Sequence, residues 1–138
     1  MAIRYKVVQV VGEDRFSALA EGRFCIRYSN GRVVKAVENT IGIMCFKTRK
    51  DAEDWMDWVY DFTGTWGHYD IIRVKPKGKG LVPKYFSGRY GEDNLMYLQE
   101  CIEKHGIVKG CRRYILEYGI SHSPPVGSIC YQEIEVLD

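Results

Sequence analysis

The dipeptide Asn30-Gly31 constrains this chain more than any other feature. It stands between two β-rich runs, "RFCIRYS" (23–29) and "RVVKAV" (32–37). Both residues tolerate positive φ, which the centre of a type I′ turn demands. The spacing predicts a hairpin with these runs as its arms. In the first arm Phe24, Ile26 and Tyr28 alternate with Arg23, Cys25 and Arg27, the period of a half-buried strand.

The neighbouring segments extend this into a sheet. "YKVVQVV" (5–11) and "RFSALA" (15–20) precede the hairpin, and "IGIMCF" (41–46) follows it. Thr48 then opens a helix. Its hydroxyl can cap the amide three residues on, where Asp51 suits the positive end of the helix as a partial capping box. Ala52, Trp55, Met56, Val59 and Phe62 recur at helical spacing, with Trp58 and Tyr60 widening the apolar face. Glu53, Asp57 and Asp61 fall on the polar side and read as a solvated acidic face. No histidine joins them at a metal-ligand spacing.

"HYDIIRVK" (68–75) reads as a strand, and "GEDNLMYLQECIEKHG" (91–106) carries the signals of a second helix, ended by Gly106. "RRYILEYG" (112–119) and "GSICYQEIEVLD" (127–138) close the chain as two strands. The order predicts one α+β domain over residues 1–138: a mainly antiparallel sheet with an N-terminal meander, two α-helices and two C-terminal strands. A chain of 138 residues has the length for one such core.

The chemistry of enzymes is missing from the sequence. "GKGLVP" (78–83) has Pro83 where a dinucleotide fingerprint needs its third glycine, and there is neither a P-loop nor a nucleophile elbow. His68, His105 and His122 form no ligand pattern. The reading is of a non-enzyme with no cofactor, no metal and no catalytic residues. Five cysteines, an odd number without a C-x-x-C pair, fit a reducing cytosol, where most would serve as small core residues. No leader peptide and no apolar run long enough for a bilayer is read in the chain, so the expected location is cytoplasmic and no membrane partner is expected.

Charge singles out one segment. Net charge is only +2, yet Ile71 to Gly91 holds six basic residues (Arg73, Lys75, Lys77, Lys79, Lys84, Arg89) and no acidic one. The remainder has a net charge of −4. A local positive segment on a mildly acidic body favours a confined anion site. Within it, "YFSGRYG" (85–91) offers Tyr85, Phe86 and Tyr90 as flat faces and Arg89 as a phosphate partner. Packing against the body, a partner subunit or a ligand all fit these aromatics. Lys75 to Lys79 fits a solvated loop. Arg112-Arg113 is a second basic spot, on a predicted strand where only one of the two faces a given pocket.

In element order, length and segments such as "YKVVQVVG", "YSNGRVVKA" and "GIMCFKTRKDAEDW", the chain resembles the small phage-encoded anti-Thoeris proteins of type one. The resemblance implies a sponge that sequesters a cyclic ADP-ribose signal without turnover. It further implies assembly as a dimer or larger oligomer in the cytosol of a bacterial host. It implies an aromatic, an asparagine and arginines around the ligand: Phe86 or Tyr90, Asn94, and Arg113 with Arg89 or Arg112. A basic pair four residues apart would be Lys109 with Arg113, or Arg23 with Arg27. The alternatives are a nucleic-acid-binding module using residues 73–90, and a protein–protein inhibitor or adaptor.

Overall fold

The computed structural model describes residues 2–18, 25–37, 42–63, 67–82, 86–87, 121–122 and 124–138. Its first strand, β1 (Arg4–Val11), lies in the middle of a seven-stranded antiparallel sheet. β2 (Asp14–Ser17) turns back beside it, and β3 (Val33–Lys35), β4 (Ile43–Phe46) and α1 (Arg49–Thr63) follow. β5 (Tyr69–Lys77) completes the first half. β6 (Phe86–Ser87) pairs with β7 (Ser121–His122) in a separate ribbon. β8 (Ser128–Tyr131) and β9 (Glu133–Val136) end the chain. The architecture is α+β, as the sequence predicts, with one helix among the described residues. The predicted helix at 91–106 and strand at 112–119 lie outside them.

The strand order β3-β9-β5-β1-β4-β8 carries a topological consequence. Only Gln132 separates β8 from β9, yet β4, β1 and β5 lie between them in the sheet. Four inter-strand steps span about 19 Å in a flat sheet. Two residues of chain reach about 7 Å. The sheet therefore curls into an open barrel that brings β8 and β9 together at Gln132, with no ladder between them among the described residues. One buried cluster accordingly joins Ile129 and Tyr131 of β8 to Ile134 and Val136 of β9, together with Val8, Ile43, Cys45, Ile72 and Val74. The strand read as 127–138 is thus two strands, broken at Gln132.

α1 covers the outside of this barrel. Thr48 accepts from the Asp51 amide at 3.1 Å and its hydroxyl meets the Asp51 carboxylate at 2.8 Å, the expected cap. Ala52, Trp55 and Val59 pack on Val7, Met44, Phe46, Ile71 and Cys130, while Glu53, Asp57 and Asp61 face solvent as the sequence predicts. Tyr60 has a second task. Its hydroxyl donates to the Tyr69 carbonyl at 3.2 Å and accepts from the Tyr69 amide at 3.0 Å. β9 pairs with β5 only from Val74 onward, so among the described residues this hydroxyl takes the place of a neighbouring strand at Tyr69. Tyr60→Phe is expected to strand both backbone groups of a residue only 6% exposed, costing about 1–3 kcal/mol, read from urea denaturation.

The turn at Asn30-Gly31 forms, but not as the predicted hairpin. The Arg32 amide donates to the Ser29 carbonyl at 3.1 Å and Gly31 has φ +77°. The flanking segments then part company. Phe16 bridges to Arg27, so the first arm lies on β2. β3 pairs with β9, Val34 opposite Ile134. Gly31 donates to the Val136 carbonyl, which draws the outgoing chain to β9.

β5 runs two residues past its predicted end. Pro76 sits beyond Val74, the last residue paired with β1, where the strand has one neighbour and tolerates proline. Gly42, just before β4, abuts the backbone of β8. Its φ is +112°, and a Cβ there would lie 2.7 Å from the Tyr131 carbonyl oxygen. Gly42→Ala is expected to be strongly destabilising, lowering the denaturation midpoint by more than any surface alanine.

Candidate functional site

Most of the candidate residues named from sequence, Tyr85, Arg89, Tyr90, Asn94, Lys109, Arg112 and Arg113, lie outside the described residues, as do Lys84 and Arg23. Of Phe86 the backbone is described: it pairs with His122, and Ser87 pairs with Ser121. This ladder joins the two ends of the 88–120 stretch, within which six of the eight candidates fall. Upstream, Leu81 exchanges both backbone hydrogen bonds with Cys130, each 2.8 Å, laying the chain before the ribbon along β8.

The basic run on β5 is largely matched with acid. Arg73, Lys75 and Lys77 alternate outward. Lys75 stands opposite Glu135 and Lys77 opposite Glu133 on β9, while Lys35 of β3 also meets Glu133. Arg73 grips the Asp138 carboxylate through Nη2 at 2.8 Å and Nε at 3.0 Å, and its backbone amide adds 2.7 Å. These hydrogen bonds from Arg73, side chain first and backbone second, hold the Asp138 carboxyl below the ordinary carboxylate range. The lowered value means stability that is complete above the ordinary carboxylate range and is lost as pH falls through the folded value. Both groups are well exposed, so the effect is small. Asp138→Asn is expected to lower the melting temperature slightly at neutral pH, by a margin that vanishes in strong acid.

The described residues form a different concavity, which sequence reasoning did not single out. A cleft of about 350 Å³ opens where the β1–β2 turn meets the turn at 28–30 and the residue after β9's last pair of side chains, Asp138. Glu13 comes from the first turn, Asp14 and Arg15 from β2, and Arg27 and Tyr28 from the segment lying on β2. Arg27 Nη2 donates to Asp14 Oδ1 at 2.5 Å and Arg15 Nη2 to the Asp138 backbone oxygen at 2.5 Å.

Tyr28 links this cleft to the barrel interior. It is 2% exposed, and the ammonium of Lys6 lies 5.3 Å from its ring centroid. Lys6 is itself 2% exposed, on the inward face of β1 that it shares with Val8, and donates to the Met44 carbonyl at 3.0 Å. A buried ammonium survives only with such acceptors and with a π face to meet its charge.

Cys45 and Cys130 are buried in the two core clusters and Cys25 is exposed, while Cys101 and Cys111 lie outside the described residues. Among the described residues no group of three His, Cys, Asp or Glu is placed to hold a metal, and no helix is long and apolar enough to cross a membrane. Set against protein-family models, curated proteins and solved structures, the chain finds no match in any of the three.

Proposed function

We propose that the protein is a non-catalytic binding protein that sequesters a small phosphorylated compound of the cyclic ADP-ribose class and releases it unchanged. The observation that carries the reading is the β6–β7 ladder. By pairing Phe86 with His122 and Ser87 with Ser121, it ties together the ends of a stretch that contains Arg89, Tyr90, Asn94, Lys109, Arg112 and Arg113. The two ends of that stretch are thereby brought to one place, and the arginines and aromatic rings within it are the residue types that capture of a phosphorylated purine requires. Assembly as a homo-oligomer in a bacterial cytosol, counteracting anti-phage defence, belongs to the same proposal.

The matched charges on β5 favour this reading over a nucleic-acid module. Lys75 and Lys77 face the glutamates of β9, and Arg73 holds Asp138, so half of the basic residues in 71–91 already stand beside acid. A protein that neutralises many phosphates shows steeply salt-dependent affinity. The test is a thermal-shift and calorimetric titration with cyclic ADP-ribose isomers at two salt concentrations. The reading expects a large stabilisation that Arg113→Ala weakens by about tenfold or more. Stabilisation by single-stranded DNA or RNA in place of the cyclic nucleotide would overturn it.

A further inference from the structure

The cleft beside Tyr28 has a charge pattern that selects its occupant. Two guanidiniums, Arg15 and Arg27, share it with the carboxylates of Glu13 and Asp14, while Asp138, its carboxylate held by Arg73, offers its backbone oxygen to Arg15. A bare anion would face the carboxylates of Glu13 and Asp14. A bare cation would face two guanidiniums. A molecule carrying both charges complements both walls. Each guanidinium has five N–H donors in a fixed fork. Among the described residues the Arg27 guanidinium contacts Asp14 and that of Arg15 the Asp138 backbone oxygen, which leaves donors for a bidentate carboxylate. The cleft's volume of about 350 Å³ lies at the small end of the range for small-molecule pockets.

We propose that this cleft binds a small zwitterion of free amino-acid type, its carboxylate on Arg15 and Arg27 and its ammonium on Glu13 and Asp14, over Tyr28. None of its lining residues belongs to the 88–120 stretch, and the proposal stands or falls independently of the nucleotide reading.

The test is an NMR titration of the labelled full chain with the common free amino acids at millimolar concentration, following the amides of Tyr28, Ser29 and Asn30. The amino acid that shifts them most is then compared with its own carboxamide and its N-acetyl derivative, which each lack one charge. The expected result is that each capped form binds at least about tenfold more weakly. Arg27→Gln and Glu13→Gln, both at exposed positions, are expected to show the same loss with unchanged circular dichroism and melting temperature. Equal binding of the capped forms, or no shift of these amides by any amino acid, would overturn the proposal. Should Arg27→Gln fail to fold, Glu13→Gln with the capped pair decides alone.

Discussion

Lys6→Glu is expected to leave the chain unfolded at room temperature, with a circular dichroism spectrum lacking the native sheet signal. Lys6 occupies the barrel interior, 2% exposed, with its ammonium on the Met44 carbonyl and against the Tyr28 ring. A carboxylate in its place would point negative charge at a carbonyl oxygen and at the negative face of a ring. The effective cost of an uncompensated buried ion is several kcal/mol. Total stability of a domain this size is about 5–15 kcal/mol. Lys6→Met, which keeps the length and drops the charge, is expected to fold. A Lys6→Glu protein with native stability would show that the ammonium is not enclosed as described.

Phe46→Ala is expected to cost about 3–5 kcal/mol in urea denaturation. Phe46 is fully buried and sits where β4 meets α1, its ring centroid 5.7 Å from that of Trp55. Trp55 in turn stacks on Trp58 at 6.4 Å. Removing the ring opens a cavity between two rigid elements, and neither can collapse into it without breaking the β1–β4 pairing of Tyr5 with Phe46. Fluorescence of the tryptophan pair reports the same transition. A loss below about 1 kcal/mol, the scale of a surface change, would mean that α1 does not pack here.

What the sequence revealed depended on whether local chemistry decided the outcome. α1 was legible because Thr48, Asp51 and the Ala52–Trp55–Val59 spacing all act within the helix itself. The turn at Asn30-Gly31 was legible for the same reason, through the Ser29–Arg32 hydrogen bond. The partners of its two arms were not. They are set by β2 and β9, one of them a hundred residues away. The break at Gln132 carries no turn residue, and its one local mark is that the apolar positions change phase there, from Ile129 and Tyr131 to Ile134 and Val136.

Lys6 was hidden for a related reason. β1 is covered on one face by α1 and on the other by the barrel interior, so Val7 and Val8 are both buried and the strand shows no clean alternation to place Lys6 inside. The cleft at Tyr28 gathers Glu13, Arg27 and Asp138 from three distant stretches. Arg27 had surfaced only as half of a basic pair four residues apart, on a segment whose alternation was otherwise the signal.

The central claim is that this chain holds a phosphorylated ligand without altering it. Native mass spectrometry of freshly purified protein incubated with a cyclic ADP-ribose isomer measures this directly. The account predicts an added mass equal to the whole ligand on an assembled species, and the same intact mass recovered after denaturation. Recovery of a cleaved product, or a protein that never carries the added mass, would contradict it.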